Sequence, residues 1–94
     1  MFEREAEQEM IGAAPYYESQ GAGRGSDFLD EVEAAINAIE VNPFRYGYYN
    51  RSVRSIRLAR FPYWLLFVAE EDRIVIIAVM HLHRRPGCWK RRLN

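Results

Sequence analysis

Two histidines, several arginines and a tryptophan crowd the C-terminal end of this chain. His81, His83, Arg84, Arg85, Trp89 and Arg91 lie close together in sequence, with Arg57 and Arg60 upstream. Such residues can handle phosphate. Cleavage of RNA by attack of a 2′-hydroxyl on the neighbouring phosphate needs a proton acceptor, a proton donor and a cation beside the crowded phosphate. In that reading His81 or His83 shuttles protons and Arg57, Arg84 or Arg85 holds the charge. The same residue types also make a docking surface, because arginine and tryptophan are frequent interface anchors. A third reading is purely architectural: His81 and Arg84 pin the tail to a sheet, and Trp89 packs beside helices, as large aromatics often do. No metal centre is expected, since two histidines without a nearby cysteine or carboxylate are too few ligands. No cofactor is implied either.

These residues need strands to carry them. Two unbroken apolar runs, residues 63–68 and 74–80, are rich in β-branched and aromatic side chains and flank the polar stretch 69–73, which predicts a β-hairpin. Continuous hydrophobicity implies cover on both faces and places both strands inside the sheet, away from its edges. Upstream, residues 53–60 alternate. Arg54, Ile56, Leu58 and Arg60 point one way, and Val53, Ser55, Arg57 and Ala59 the other. Ile56 and Leu58 mark the buried set, so Arg57 projects from the opposite face, while Arg54 and Arg60 reach solvent near the strand ends. The span 44–50, with three tyrosines around Gly47, reads as a loop or a short edge strand. If the last strand persists, His81 and His83 share a face, and Pro86-Gly87 then turns the chain.

The first half is helical. Phe2, Ala6, Met10, Ala13, Ala14 and Tyr17 recur at helical spacing through about residue 20. Pro15 deprives the carbonyl of Ile11 of its donor, which predicts a kink or break near Gly12. Residues 19–26 contain three glycines and form a turn; a phosphate cradle would follow a strand instead. Ser26 or Asp27 is the expected cap of a second helix, with acidic residues in its first turns and Phe28, Val32, Ala35, Ile36 and Ile39 along its buried stripe. Pro43 ends it. The predicted fold is α+β and a single domain over residues 1–94: a two-helix hairpin packed on a three- to four-stranded antiparallel sheet, followed by a short basic tail.

Composition narrows the class. Ninety-four residues, 49% hydrophobic and 14% aromatic, suit one globule with a modest core. No apolar run is long enough to cross a membrane, and the acidic start is unlike a signal peptide, so a cytoplasmic location without membrane partners is expected. One cysteine, Cys88, excludes an internal disulfide and reads as a half-buried small residue. The net charge of zero conceals a polarity: residues 1–50 hold ten acidic and three basic side chains, and residues 51–94 hold three acidic and ten basic. Such a basic, aromatic half suits nucleic acid, a nucleic-acid enzyme or an acidic peptide. Attraction between the halves inside the fold would account for it equally.

The pairing of Phe61-Pro62-Tyr63 with His81, Arg84, Arg85, Pro86 and Trp89 resembles the RelE/ParE superfamily of toxins from type II toxin–antitoxin modules. Glu5-Ala6-Glu7, Tyr16-Tyr17-Glu18, the stretch from Gly23 to Glu33, and Asn42-Pro43 extend the likeness across nearly the whole chain, nearest the ParE-like, plasmid-stabilisation branch. The resemblance implies a growth-arresting toxin that binds a target such as DNA gyrase through Arg57, Arg60, His83, Arg84, Arg85, Trp89 and Arg91, and that a cognate antitoxin neutralises. The antitoxin would bury a groove between helices and sheet by strand addition or helix docking. The alternative, a RelE-type endoribonuclease acting on mRNA at the ribosome, usually carries a tyrosine near the C-terminus and an arginine after the Tyr63 position. Trp89 and Trp64 stand there instead. A degenerate, non-toxic binding module is the remaining class. Members commonly open with a β-strand, for which Met1-Phe2 leaves little room; an edge left bare by its absence would suit the antitoxin.

Overall fold

A computed structural model of the chain describes residues 1–82. His83, Arg84, Arg85, Cys88, Trp89 and Arg91, with the rest of the basic tail, lie outside the described residues. Two helices, α1 (Arg4–Gln20) and α2 (Arg24–Val41), precede a short 3-10 turn and four strands: β1 (Tyr48–Asn50), β2 (Val53–Arg57), β3 (Tyr63–Ala69) and β4 (Ile74–His81). The strands form one antiparallel meander in the order β1-β2-β3-β4. The predicted α+β layout is therefore observed, with four strands. Both helical stripes face one side of the sheet: Ala6, Ala13 and Tyr17 of α1 and Phe28, Val32, Ala35 and Ile39 of α2 share a buried cluster with Leu65, Phe67, Ile76 and Val79.

Four local expectations need correction. Pro15 does not break α1, which runs unbroken through it. Pro15 and Ile11 are both on the exposed side, where the carbonyl that lacks its helical donor can face water instead of the core. The second helix begins at Arg24, before Ser26 and Asp27. Its cap is Gly23, at φ +86°, a left-handed conformation that glycine adopts freely. No side chain of α2 satisfies the first turn. Glu18 of α1 does so, accepting the Gly23 and Gly25 N–H groups at 3.0 Å each. Those two bonds hold the Glu18 carboxyl below its ordinary pKa. Gly25 also lets the helices meet, since a Cβ there would lie 2.6 Å from the Ala14 carbonyl oxygen.

The other two corrections concern the sheet. β3 is central, but β4 is the terminal strand of the meander. Its outer edge is nevertheless lined by residues 1–3, which have room to pair after all: Phe2 forms a parallel bridge with Ile76, the Ile76 N–H donates to the Met1 carbonyl at 2.7 Å, and the Glu3 N–H to the Ile76 carbonyl at 2.9 Å. Farther along, the Val79 N–H donates to Glu9 Oε1 at 3.1 Å. A strand that reads as interior from its hydrophobicity is thus an end strand covered by a short parallel segment and a helix side chain.

Candidate functional site

Which side chains can act together depends on the strand register. Arg57 lies opposite Trp64, which lies opposite Met80. Side chains alternate along a strand, so these three share a face. It is the face away from the helices, because Val53, Leu66, Ile77, Ala78 and Met80 form a second buried cluster separate from the helical one, with Tyr49, Trp64, Val68 and Val75 at its margin. Tyr49 meets Trp64 edge-on at 6.0 Å. Beside this aromatic pair Arg57 is exposed, as its alternation predicts.

His81 lies on the other face. It is opposite Tyr63, whose ring it meets edge-on at 5.2 Å, and Tyr63 packs against the helical cluster. The cause is a β-bulge. Leu66 pairs with Ala78 but Phe67 pairs with Ile76, leaving Ile77 as an extra residue in β4. Ile77 and Ala78 both join the outer cluster, and alternation resumes one residue out of step, so Ile76 and Val79 face the helices although they are an odd number apart. Without the bulge, counting by twos from Ile76 would put His81 on the face of Arg57. With it, two of the candidates for RNA cleavage lie on opposite sides of the sheet.

Arg60 is also not a free cation. It follows β2 in a loop, and both its N–H and its side chain bind Glu31 of α2, at 2.8 Å to Oε1 and 3.0 Å from Nε to Oε2. Its guanidinium pKa is raised, chiefly by that bond. Arg54, on the helix-facing side of β2, is held as well: Nη1 donates to the Tyr46 carbonyl at 2.6 Å and Nη2 to the Tyr48 hydroxyl at 2.9 Å, and the guanidinium lies 4.1 Å from the Tyr48 ring centroid. Both arginines tie loops to the body of the fold. Of the arginine candidates within the described residues, Arg57 is the exposed one that no such tie holds.

Around His81 the structure assembles residues that sequence alone does not connect. Glu9, Tyr16, Tyr63 and His81 line a hollow of about 280 Å³ floored by Gly12 and Ala13. Tyr63 meets the Tyr17 ring edge-on at 6.2 Å, and burial is the main reason both hydroxyl pKa values are raised; the Glu9 charge adds to the effect on Tyr63. Tyr17 itself stacks on Phe28 at 5.3 Å and meets Phe61 edge-on at 4.8 Å, which locks the wall of the hollow into the core. The only hint in the sequence is that Glu9, Gly12 and Tyr16 recur at helical spacing.

A second hollow of about 280 Å³ opens between the helices. Phe2, Met10, Leu29 and Ile36 line it, over buried Val32 and beside Glu33. Leu29 is 37% exposed there, and Ile11 of α1 is 58% exposed. Among the described residues no group of three or more histidine, cysteine or carboxylate side chains could hold a metal ion, and no helix is long and apolar enough to cross a membrane.

Comparison with known proteins places this geometry. A family model described as the ParE toxin of the type II toxin–antitoxin system parDE matches residues 1–86. A solved chain described as the chromosomal ParDE TA system from P. aeruginosa superposes with a TM-score of 0.76 at 15% identity, covering 87% of this chain and 92% of that one. At that identity the likeness concerns the fold alone. No curated protein matches.

Proposed function

The chain belongs to the family of ParE toxins of type II toxin–antitoxin systems, and from that premise we propose that it arrests growth by binding a cytoplasmic target such as DNA gyrase, without catalysis of its own. The observation that carries this reading is the separation of Arg57 from His81. A nuclease needs its cation and its proton carrier around one phosphate. Arg57 instead stands exposed beside Trp64 and Tyr49, at the margin of a face whose centre is already buried, where a protein target can reach it. Arginine next to an aromatic pair is a common centre of binding energy. His83, Arg84, Arg85, Trp89 and Arg91 remain proposed target-binding residues on the grounds of sequence alone. Arg60 stays in the proposed set as an exposed cation already paired with Glu31.

A cognate antitoxin is the second proposed partner. The hollow lined by Phe2, Met10, Leu29 and Ile36 supports that reading, since a partner segment seated there would bury apolar surface that water now reaches. The bare sheet edge expected from a missing first strand is not its seat along Ile74–Ile76, where residues 1–3 already pair.

Purified full-length protein should inhibit gyrase supercoiling and leave mRNA on programmed ribosomes intact. Arg57→Ala should weaken inhibition roughly tenfold, the loss typical of one interface anchor, with an unchanged unfolding midpoint. Cleavage of ribosome-bound mRNA would replace this proposal with the RelE-type one. Inactivity in both assays, with no growth arrest on induction, would leave the non-toxic binding module.

A further inference from the structure

We propose that the hollow where the end of α2 meets the turn between β3 and β4 docks a basic segment of a partner protein, one that sets arginine or lysine beside an apolar side chain. The hollow holds about 290 Å³ and is lined by Phe44, Glu40, Glu71 and Asp72, with the Glu70–Arg73 ion pair on its wall. Its apolar surface is what a partner would cover. The Phe44 ring is 64% exposed, and Val41, at the end of α2 shortly before it, is 86% exposed, so both leave apolar area in water. Phe44 is also held ready. The Arg54 guanidinium lies over its ring at 5.3 Å and is itself fixed by its bonds to Tyr46 and Tyr48.

Charge decides the occupant. Four carboxylates and one arginine line the hollow. Arg73 engages Glu70 at 2.6 Å, whereas no hydrogen bond or ion pair holds Glu40 or Glu71 among the described residues. Glu40 sits in the last turn of α2, which contains no basic residue, so the negative end of the helix dipole adds to the same field. That field attracts a cation and repels phosphate or carboxylate. A single metal ion does not suit the pattern, because no three carboxylates among the described residues are grouped to hold one. The charges are spread along a rim instead, which matches successive side chains of a peptide. A guanidinium can stack on the exposed Phe44 ring while its fork of donors reaches a carboxylate. The site shares no residue with the proposed target surface or with the hollow lined by Leu29, and stands independently of both.

The test is an NMR titration of the full chain with the peptide acetyl-Leu-Arg-Leu-Arg-Lys-amide, compared with the neutral acetyl-Leu-Gln-Leu-Gln-Gln-amide. Saturable shifts are expected at Glu40, Phe44 and Glu71, with the basic peptide binding about tenfold more tightly than the neutral one. That advantage should vanish in about 1 M salt, where the Debye length falls to about 3 Å. Glu71→Gln combined with Asp72→Asn, in an exposed turn, should weaken binding of the basic peptide about fivefold. Phe44→Ala should weaken it about threefold, the loss of one exposed cation–ring contact, with an unchanged unfolding midpoint. Equal binding of the two peptides, indifference to these substitutions, or the absence of saturable shifts would overturn the proposal. So would shifts at Glu40, Phe44 and Glu71 produced by Arg84→Ala/Arg85→Ala without peptide, which would make the chain's own tail the occupant, or a dimer that Phe44→Ala dissolves, which would make it a second copy.

Discussion

On the helix-covered face of the sheet, Leu65, Phe67, Ile76 and Val79 meet Phe28, Val32 and Ile39 in a closed apolar layer. On the other face Val53, Leu66, Ile77, Ala78 and Met80 are buried to a similar degree, yet they border Trp64, Tyr49 and the exposed Arg57. The same strands supply both layers, so strength of burial does not distinguish a face built for stability from one that presents a cation. What distinguishes them is the margin. Beside the helical layer two arginines are tied down, Arg60 to Glu31 and Arg54 to Tyr46 and Tyr48. Around the other layer Arg57 is left to solvent.

The largest expected effect tests whether the helical layer is the principal core. Phe28 is fully buried and contacts the rings of Tyr17, Phe61 and Tyr63. Phe28→Ala should cost about 3–5 kcal/mol in urea unfolding, a large share of the stability of a small domain. Leu66→Ala on the outer face should cost about 2–4 kcal/mol. A loss below about 1 kcal/mol for Leu66→Ala would break the comparison, because the outer layer would then not behave as a core at all.

Next comes the helix pair that covers only one face. Gly25→Ala drives a Cβ toward the Ala14 backbone, and should destabilise by about 1–3 kcal/mol as the helices are forced apart. Gly12→Ala meets open space in the same helical layer and should instead stabilise by about 0.5–1 kcal/mol, because alanine loses less backbone freedom in a helix. If both substitutions shift the unfolding midpoint the same way, close helix contact is not what Gly25 provides.

The smallest effect is electrostatic. Glu18 has a depressed pKa in the folded chain because it accepts the Gly23 and Gly25 N–H groups. Its contribution is present above the unfolded-state value, near 4.3, and is lost as pH falls through the lower folded value. Glu18→Gln should therefore flatten the acid limb of a stability-versus-pH curve measured between neutral and strongly acidic pH. An acid limb as steep as that of the parent would mean that other carboxylates carry it.

Much of this was legible in the sequence because it rests on local periodicity. The stripes of α1 and α2 follow helical spacing, and every apolar residue assigned to them is buried or packed against the helical cluster. Ile56 and Leu58 placed Arg57 on the outer face by simple alternation. The carboxylate that caps α2 was not legible, since Glu18 belongs to the preceding helix and the Gly23 cap brings no side chain of its own. The pairing of residues 1–3 with Ile74 and Ile76 joins segments some seventy residues apart, and nothing in a short N-terminal stretch announces its partner.

The sequence by itself determined the order of elements, the two amphipathic helices, the apolar hairpin and the family to which its motifs point. Each of these is a property of neighbouring residues, read from spacing and side-chain type. Only the tertiary structure decided which face His81 occupies. β4 is apolar throughout, so its pattern gives no alternation from which to read register. The bulge at Ile77 is set by how β4 fits against β3, with the helices on one side and the outer cluster on the other. One extra residue there moves His81 away from Arg57 and into the hollow with Glu9, Tyr16 and Tyr63.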